Sequence, residues 1–158
     1  MKNIKVFPAR MRKTKFTPEQ TSDPNISRLI ERRRALGSMV GSYSNMVVNL
    51  VNQLLTAVQA NNVTLHQNPD VSLGMIYPDN MPQNIRLALG AEVVSWDTRI
   101  RRNLDSTMEA YNNVRSIEEE LLRLGVYVQP QDFTNLLERA RIAHGRYQAI
   151  IHVEYNEN

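Results

Sequence analysis

Cysteine is absent from this chain, which removes a disulfide framework, a thiolate zinc site, an iron–sulfur cluster and a cysteine nucleophile at once. Phosphate loops are missing as well: there is no GxGxxG, and Gly90 is not followed by the Lys-Ser/Thr pair of a P-loop. The three histidines, His66, His144 and His152, are scattered, and no HExxH occurs. His152-x-Glu154 matches the first half of a zinc-deaminase signature, whose cysteine pair is not there. Glu118-Glu119-Glu120 spreads its carboxylates around a helix and reads as a solvated face, while His144 reads as a partly buried group beside an apolar stripe. No catalytic residue, metal ligand, cofactor or small-molecule substrate is expected, and the chain is expected not to be an enzyme.

Lysine is confined to four positions, all within the first fifteen residues. The formal net charge of +3 is a cancellation between unlike parts. Residues 1–34 carry ten Lys/Arg against Glu19, Asp23 and Glu31, hence +7, and the other 124 residues carry nine Arg against thirteen acids, hence −4. The opening stretch MKNIKVFPARMRKTKF holds six cations, no acid, two Phe and a Pro, and has no apolar period long enough to close an element alone. Residues 1–22 therefore read as a basic extended arm. It lacks the apolar run of a secretory signal, and Pro8 sits badly in the amphipathic helix of a mitochondrial presequence. Such an arm suits a neighbouring subunit or nucleic acid. Lys2, Lys5, Arg10, Arg12, Lys13 and Lys15, with Arg32, Arg33 and Arg34 further on, would supply sequence-blind contacts, and Phe7 and Phe16 would anchor it. A solvated tail is the alternative.

With 158 residues the chain fits one domain, long enough to bury about 70% of its unfolded surface without staples. The expected fold is all-α: three or four helices over residues 23–158, with an irregular segment at about 61–82 and extended termini. Asp23 can cap and Pro24 can take the first helical position of a helix running to about Ala60. Pro69, Gly74, Pro78 and Pro82 prevent a continuous helix across the middle segment, where 63–65 and 73–77 are short enough for small strands or turns.

A second helical region starts near 81–83. Its apolar positions step by three and four from Val93 through Trp96, Ile100, Leu104 and Met108 to Leu124, with Gly125 as its end. Ser106-Thr-Met-Glu109 matches a capping box and marks a possible break. Asp97 with Arg101, and Glu119 with Arg123, are spaced for pairing across a turn. The last helix is expected from about Pro130, and the tail HVEYNEN could add a strand to a neighbour or be free.

From Ala35 to Pro69 no residue is charged, in a chain that is 22% charged. A membrane span would need some 20 predominantly apolar residues, and Asn45, Asn49, Asn52, Gln53 and Gln59 break that run. Val40, Tyr43, Val47, Leu50, Leu54 and Ala57 form an apolar stripe. Ser38, Ser42, Asn45, Asn49, Asn52, Thr56 and Gln59 form an uncharged polar one. Solvated helix faces normally carry Lys and Glu, so amides and hydroxyls in their place point to a packed face, where a bare charge would be costly to desolvate. Gly37-x-x-x-Gly41 would let another backbone approach. Two readings stand: this helix is central in a monomeric bundle, or its polar stripe is a subunit interface.

The basic arm, long amide-faced helices and lack of a catalytic constellation resemble small helical structural proteins of virus or bacteriophage particles, such as connector, ring or coat subunits. Asp97-Thr98-Arg99-x-Arg101 also resembles a segment of the helical coat proteins of rod-shaped plant viruses, over five residues only. The first resemblance implies a non-enzymatic assembly subunit, a homo-oligomer or a partner of other structural subunits, located in a virion or host cytoplasm. The alternative is a nucleic-acid-binding packaging or nucleocapsid-type protein.

Overall fold

A computed structural model of the chain describes residues 22–153. The basic positions Lys2, Lys5, Arg10, Arg12, Lys13 and Lys15, and the anchors Phe7 and Phe16, lie outside the described residues. The described chain is mostly helical, with three long elements and a small sheet in place of the all-α architecture expected.

Helix α1 spans Pro24–Ala60. The Asp23 carboxylate accepts from the backbone N–H of Asn25 at 2.8 Å and of Ile26 at 3.4 Å, satisfying two donors of the first turn. Helix α2 spans Gln83–Arg123 without interruption, 41 residues or about 60 Å. The capping-box match inside it does not act as a cap, because the helix runs through Ser106 and Glu109; beside it the buried Thr107 donates its hydroxyl to the Asn103 carbonyl at 2.7 Å. At the far end Gly125 takes φ 81°. The Val126 N–H donates to the Leu121 carbonyl at 2.8 Å and the Gly125 N–H to Leu122 at 3.0 Å, the pair of bonds of a Schellman cap.

Helix α3 spans Thr134–Ala149, starting four residues later than expected. Residues 126–133 are drawn out along the bundle because Val126, Val128 and Phe133 are buried there. The Leu137 N–H then closes on the Phe133 carbonyl at 2.9 Å, opening the helix.

Strands β1 (Thr64–Gln67), β2 (Leu73–Ile76) and β3 (Ile151–Val153) form one sheet in the order β2-β1-β3. The first two make an antiparallel hairpin. The third corrects the tail reading: it pairs parallel with β1 of its own chain, Leu65 opposite Ile151 and Gln67 opposite Val153. Burial of Leu65 at 1% exposure, with Ile151 packed beside it in the main core, favours that register over a free tail.

Helices α1 and α2 run antiparallel, with Val40 near Val114 at one end and Gln53 accepting from the Trp96 indole at 3.1 Å at the other. Helix α3 runs alongside α1 in the same direction, entering where Gln131 meets Gly37 and continuing past Gly41 at Leu136. The core is the apolar stripe expected of α1 (Val40, Val47, Leu50, Leu54) against Val93, Ile100, Val114 and Leu121, closed by Ala140, Ala143 and Tyr147.

Candidate interaction surface and polar cleft

On α1 the two stripes part. Val40, Val47, Leu50 and Leu54 are buried and Tyr43 and Ala57 half-buried, whereas Ser38, Ser42, Asn45, Asn49, Asn52, Thr56 and Gln59 are all exposed. The polar stripe thus faces away from the other described elements, although this helix is the one on which both α2 and α3 pack. Among the side-chain hydrogen bonds of the described residues, one comes from the stripe itself: the Thr56 hydroxyl donates to the Asn52 carbonyl at 2.8 Å. Met39 and Met46, each 39% exposed, continue the surface on one flank. From Ser38 to Gln59 it is about 32 Å long. At its end Gln59, Asn62, Ile150 and His152 border a cleft of about 470 Å³.

The glycine pair does not belong to that surface. A Cβ on Gly37 would lie 2.5 Å from Gln131 Oε1, and one on Gly41 3.7 Å from Leu136 Cδ1. The close approach foreseen for another backbone is made within the chain, by the segment leading into α3 and by α3 itself.

The arginine triplet is also divided by the fold. Arg32 is exposed, and Arg34 makes a surface pair with Glu31 at 3.4 Å. Arg33 turns inward: its Nε and Nη2 donate to Glu118 Oε2 at 2.9 and 2.8 Å, and Nη2 also donates to the Gln129 carbonyl. Arg115 donates to the other Glu118 oxygen at 2.7 Å and to the Gln131 carbonyl at 2.8 Å, while the Gln131 N–H donates to Glu118 Oε2 at 2.9 Å. Glu118, read as part of a solvated face, is the hub that ties α1, α2 and the 126–133 segment together. Arg33 is thereby removed from the contact set proposed for the arm. Arg123 pairs with Glu120 at 2.7 Å and not with Glu119.

One further polar contact, between Asp97 and Tyr147, was invisible to spacing. Asp97, 8% exposed, accepts the Tyr147 hydroxyl at 2.6 Å across fifty residues and also pairs with Arg101 at 3.2 Å, as its spacing foretold. Burial, reinforced by the hydrogen bond to Asp97, pushes the Tyr147 hydroxyl well above its ordinary range, so it stays protonated as a donor. Nearby, burial and then the charge of Arg101 hold His144 below its ordinary value of 6.5, against the opposing pull of Asp97. Arg101, Asp105, His144, Tyr147 and Gln148 line an open cleft of about 550 Å³ beside β3. The carboxylate that lines it is Asp105, while Asp97, engaged by Tyr147 and Arg101, does not reach the lining, and no serine or threonine lines it as a nucleophile.

Among the described residues no group of three or more His, Asp or Glu could hold a metal ion, and no helix is long and apolar enough to cross a membrane. No family model, curated protein or solved structure matches the chain.

Proposed function

We propose that the protein is a non-enzymatic assembly subunit that joins copies of itself or other structural subunits through the uncharged outer face of α1. The concrete form we favour is a component of a virus or bacteriophage particle, of the connector, ring or coat type, with residues 1–20 reaching onto a neighbour or nucleic acid.

One observation carries this reading: a solvent-facing helix surface about 32 Å long, set within a run from Ala35 to Pro69 that holds no charged residue. Lys and Glu cost nothing on a face that stays wet and help solubility there. Asn, Gln, Ser and Thr suit a face that is covered, because they can exchange water for partner hydrogen bonds without desolvating a full charge.

The test is solution mass by light scattering. Asn45→Glu/Asn49→Glu/Asn52→Glu should convert a defined multimer into monomer while far-ultraviolet circular dichroism keeps its helical signal. An unchanged multimer would remove the α1 face as the joining surface.

A second reading, a packaging or nucleocapsid-type nucleic-acid binder, is favoured by the +7 charge of residues 1–34 and by the exposed Arg32. It predicts duplex-DNA affinity that falls with salt at a logarithmic slope of about −0.9 per phosphate neutralised. Salt-independent or absent binding would remove it.

A further inference from the structure

The α1 stripe does not end at α1. On α3, Asn135, Arg139, Ile142 and Arg146 recur at steps of four, three and four, and all are exposed. They lie on the side of α3 turned away from His144 and Gln148, which face the cleft beside α2. Leu136, touching the Gly41 position, and the buried Ala140 and Ala143 hold α3 against α1. The polar stripe and the α3 row therefore border one continuous face of the molecule, directed away from α2.

The charge on that face is one-sided. Arg139 and Arg146 make no ion pair or hydrogen bond among the described residues, and the neighbouring Arg141 is already joined to Glu138. The exposed stripe of α1 contributes no acid. Ile142, 50% exposed, sits between the two free cations.

The opposite sign collects on the exposed side of α2. Asp105, Glu109 and Glu119 are exposed there and without an ion pair among the described residues, and Asp105 also lines the cleft shared with α3. Arg115 and Arg123 in the same stretch are taken by Glu118 and Glu120, so they do not offset these acids. The free Arg102 bounds the ridge one turn earlier, and Met108, 48% exposed, lies within it. From Asp105 to Glu119 the ridge runs about 21 Å, long enough to span two arginines seven residues apart on a helix.

We propose that the α1/α3 face docks on the α2 ridge of a second copy, so that the contact between subunits is head-to-tail and not two-fold. This rests on the assembly reading above and adds the partner surface to it. A two-fold contact would set the α1/α3 face against itself, and because neither its polar stripe nor its α3 row holds an acid, Arg139 and Arg146 would meet no carboxylate of that face across it. The head-to-tail contact sets two free cations and Ile142 against three free carboxylates and Met108. Because each copy then keeps one of each surface unused, the geometry extends to a ring or a filament.

Two charge-reversed proteins test it: Arg139→Glu/Arg146→Glu, and Asp105→Lys/Glu109→Lys/Glu119→Lys. Each alone places like charges across the contact and should weaken self-association about tenfold or more, read by light scattering over a concentration series. Mixed in equal amounts, the two restore opposite signs at both surfaces and should recover multimers of alternating composition. That recovery is a readout misfolded chains would not give.

If the α2-ridge variant alone assembles like the wild type, the ridge is no part of the contact and the proposal falls. It falls equally if both variants dissociate and their mixture does not recover. Loss of assembly in the Asn→Glu triple with an unaffected ridge variant overturns the head-to-tail contact but keeps the α1 interface. A wild-type chain that is monomeric at every concentration overturns both.

Discussion

Arg33 and Glu118 meet at 2.8 Å with side chains only 12% and 9% exposed, joining a run of three arginines to a run of three glutamates from opposite ends of the chain. Each run looks uniform in sequence, yet one member of each is structural and the others are solvent-facing or locally paired. The pair is workable at that burial because both Glu118 oxygens take a further donor, Oε1 from Arg115 and Oε2 from the Gln131 N–H.

Removing the hub should therefore cost more than removing its neighbours. Glu118→Ala leaves two mostly buried guanidinium groups without their counter-charge and is expected to destabilise the fold by about 3 kcal/mol. Arg32→Ala and Arg34→Ala, at exposed positions, should stay within about 0.5 kcal/mol of the wild type. Urea unfolding of the three variants checks the contrast, and equal losses would show that Glu118 is not the joint.

The Tyr147 hydroxyl is the donor that Asp97 depends on inside the bundle. Tyr147→Phe keeps the ring in the core but deletes that donor, and it should cost about 1–3 kcal/mol. Asp97→Asn should cost less, since an amide can still accept from the hydroxyl. Thermal melts of both proteins give the order directly.

Stability should also respond to pH through His144. In the folded chain its pKa lies below 6.5, from burial first and Arg101 second, while in the unfolded chain it titrates near 6.5. Below that value the unfolded state binds more protons, so stability falls as pH drops from about 6.5 through the folded pKa and is level above it. His144→Gln should flatten this step. Asp70, Asp132 and Glu138, held low by hydrogen bonds from Ser72, Thr134 and Arg141, act in a separate window near and below 3.8 to 4.5. Urea midpoints from pH 5 to 8 isolate the histidine, and an unchanged slope in the variant would assign the step elsewhere.

Ser44 offers a test of the opposite sign. It is 1% exposed, and its hydroxyl has no hydrogen-bond partner among the described residues. Ser44→Ala removes an unsatisfied buried group and places a better helix former in α1, so it should stabilise by about 1 kcal/mol. A lower melting temperature would mean that the hydroxyl finds a partner in solution.

The sequence by itself determined the elements whose causes are local. Asp23-Pro24 set the start of α1, Gly125 the end of α2, and the steps of three and four in α1 separated its buried stripe from its exposed one, because caps and helical spacing act within a turn or two. The uncharged stretch of the candidate interface was legible for the same reason. Pairings across the fold were not: Arg33 with Glu118, Tyr147 with Asp97, Leu65 with Ile151, and the glycine pair with Gln131 and Leu136. Those partners lie between 50 and 95 residues apart. Which of several equivalent side chains meets which is decided only when the helices settle into one packing register, and that register belongs to the tertiary structure.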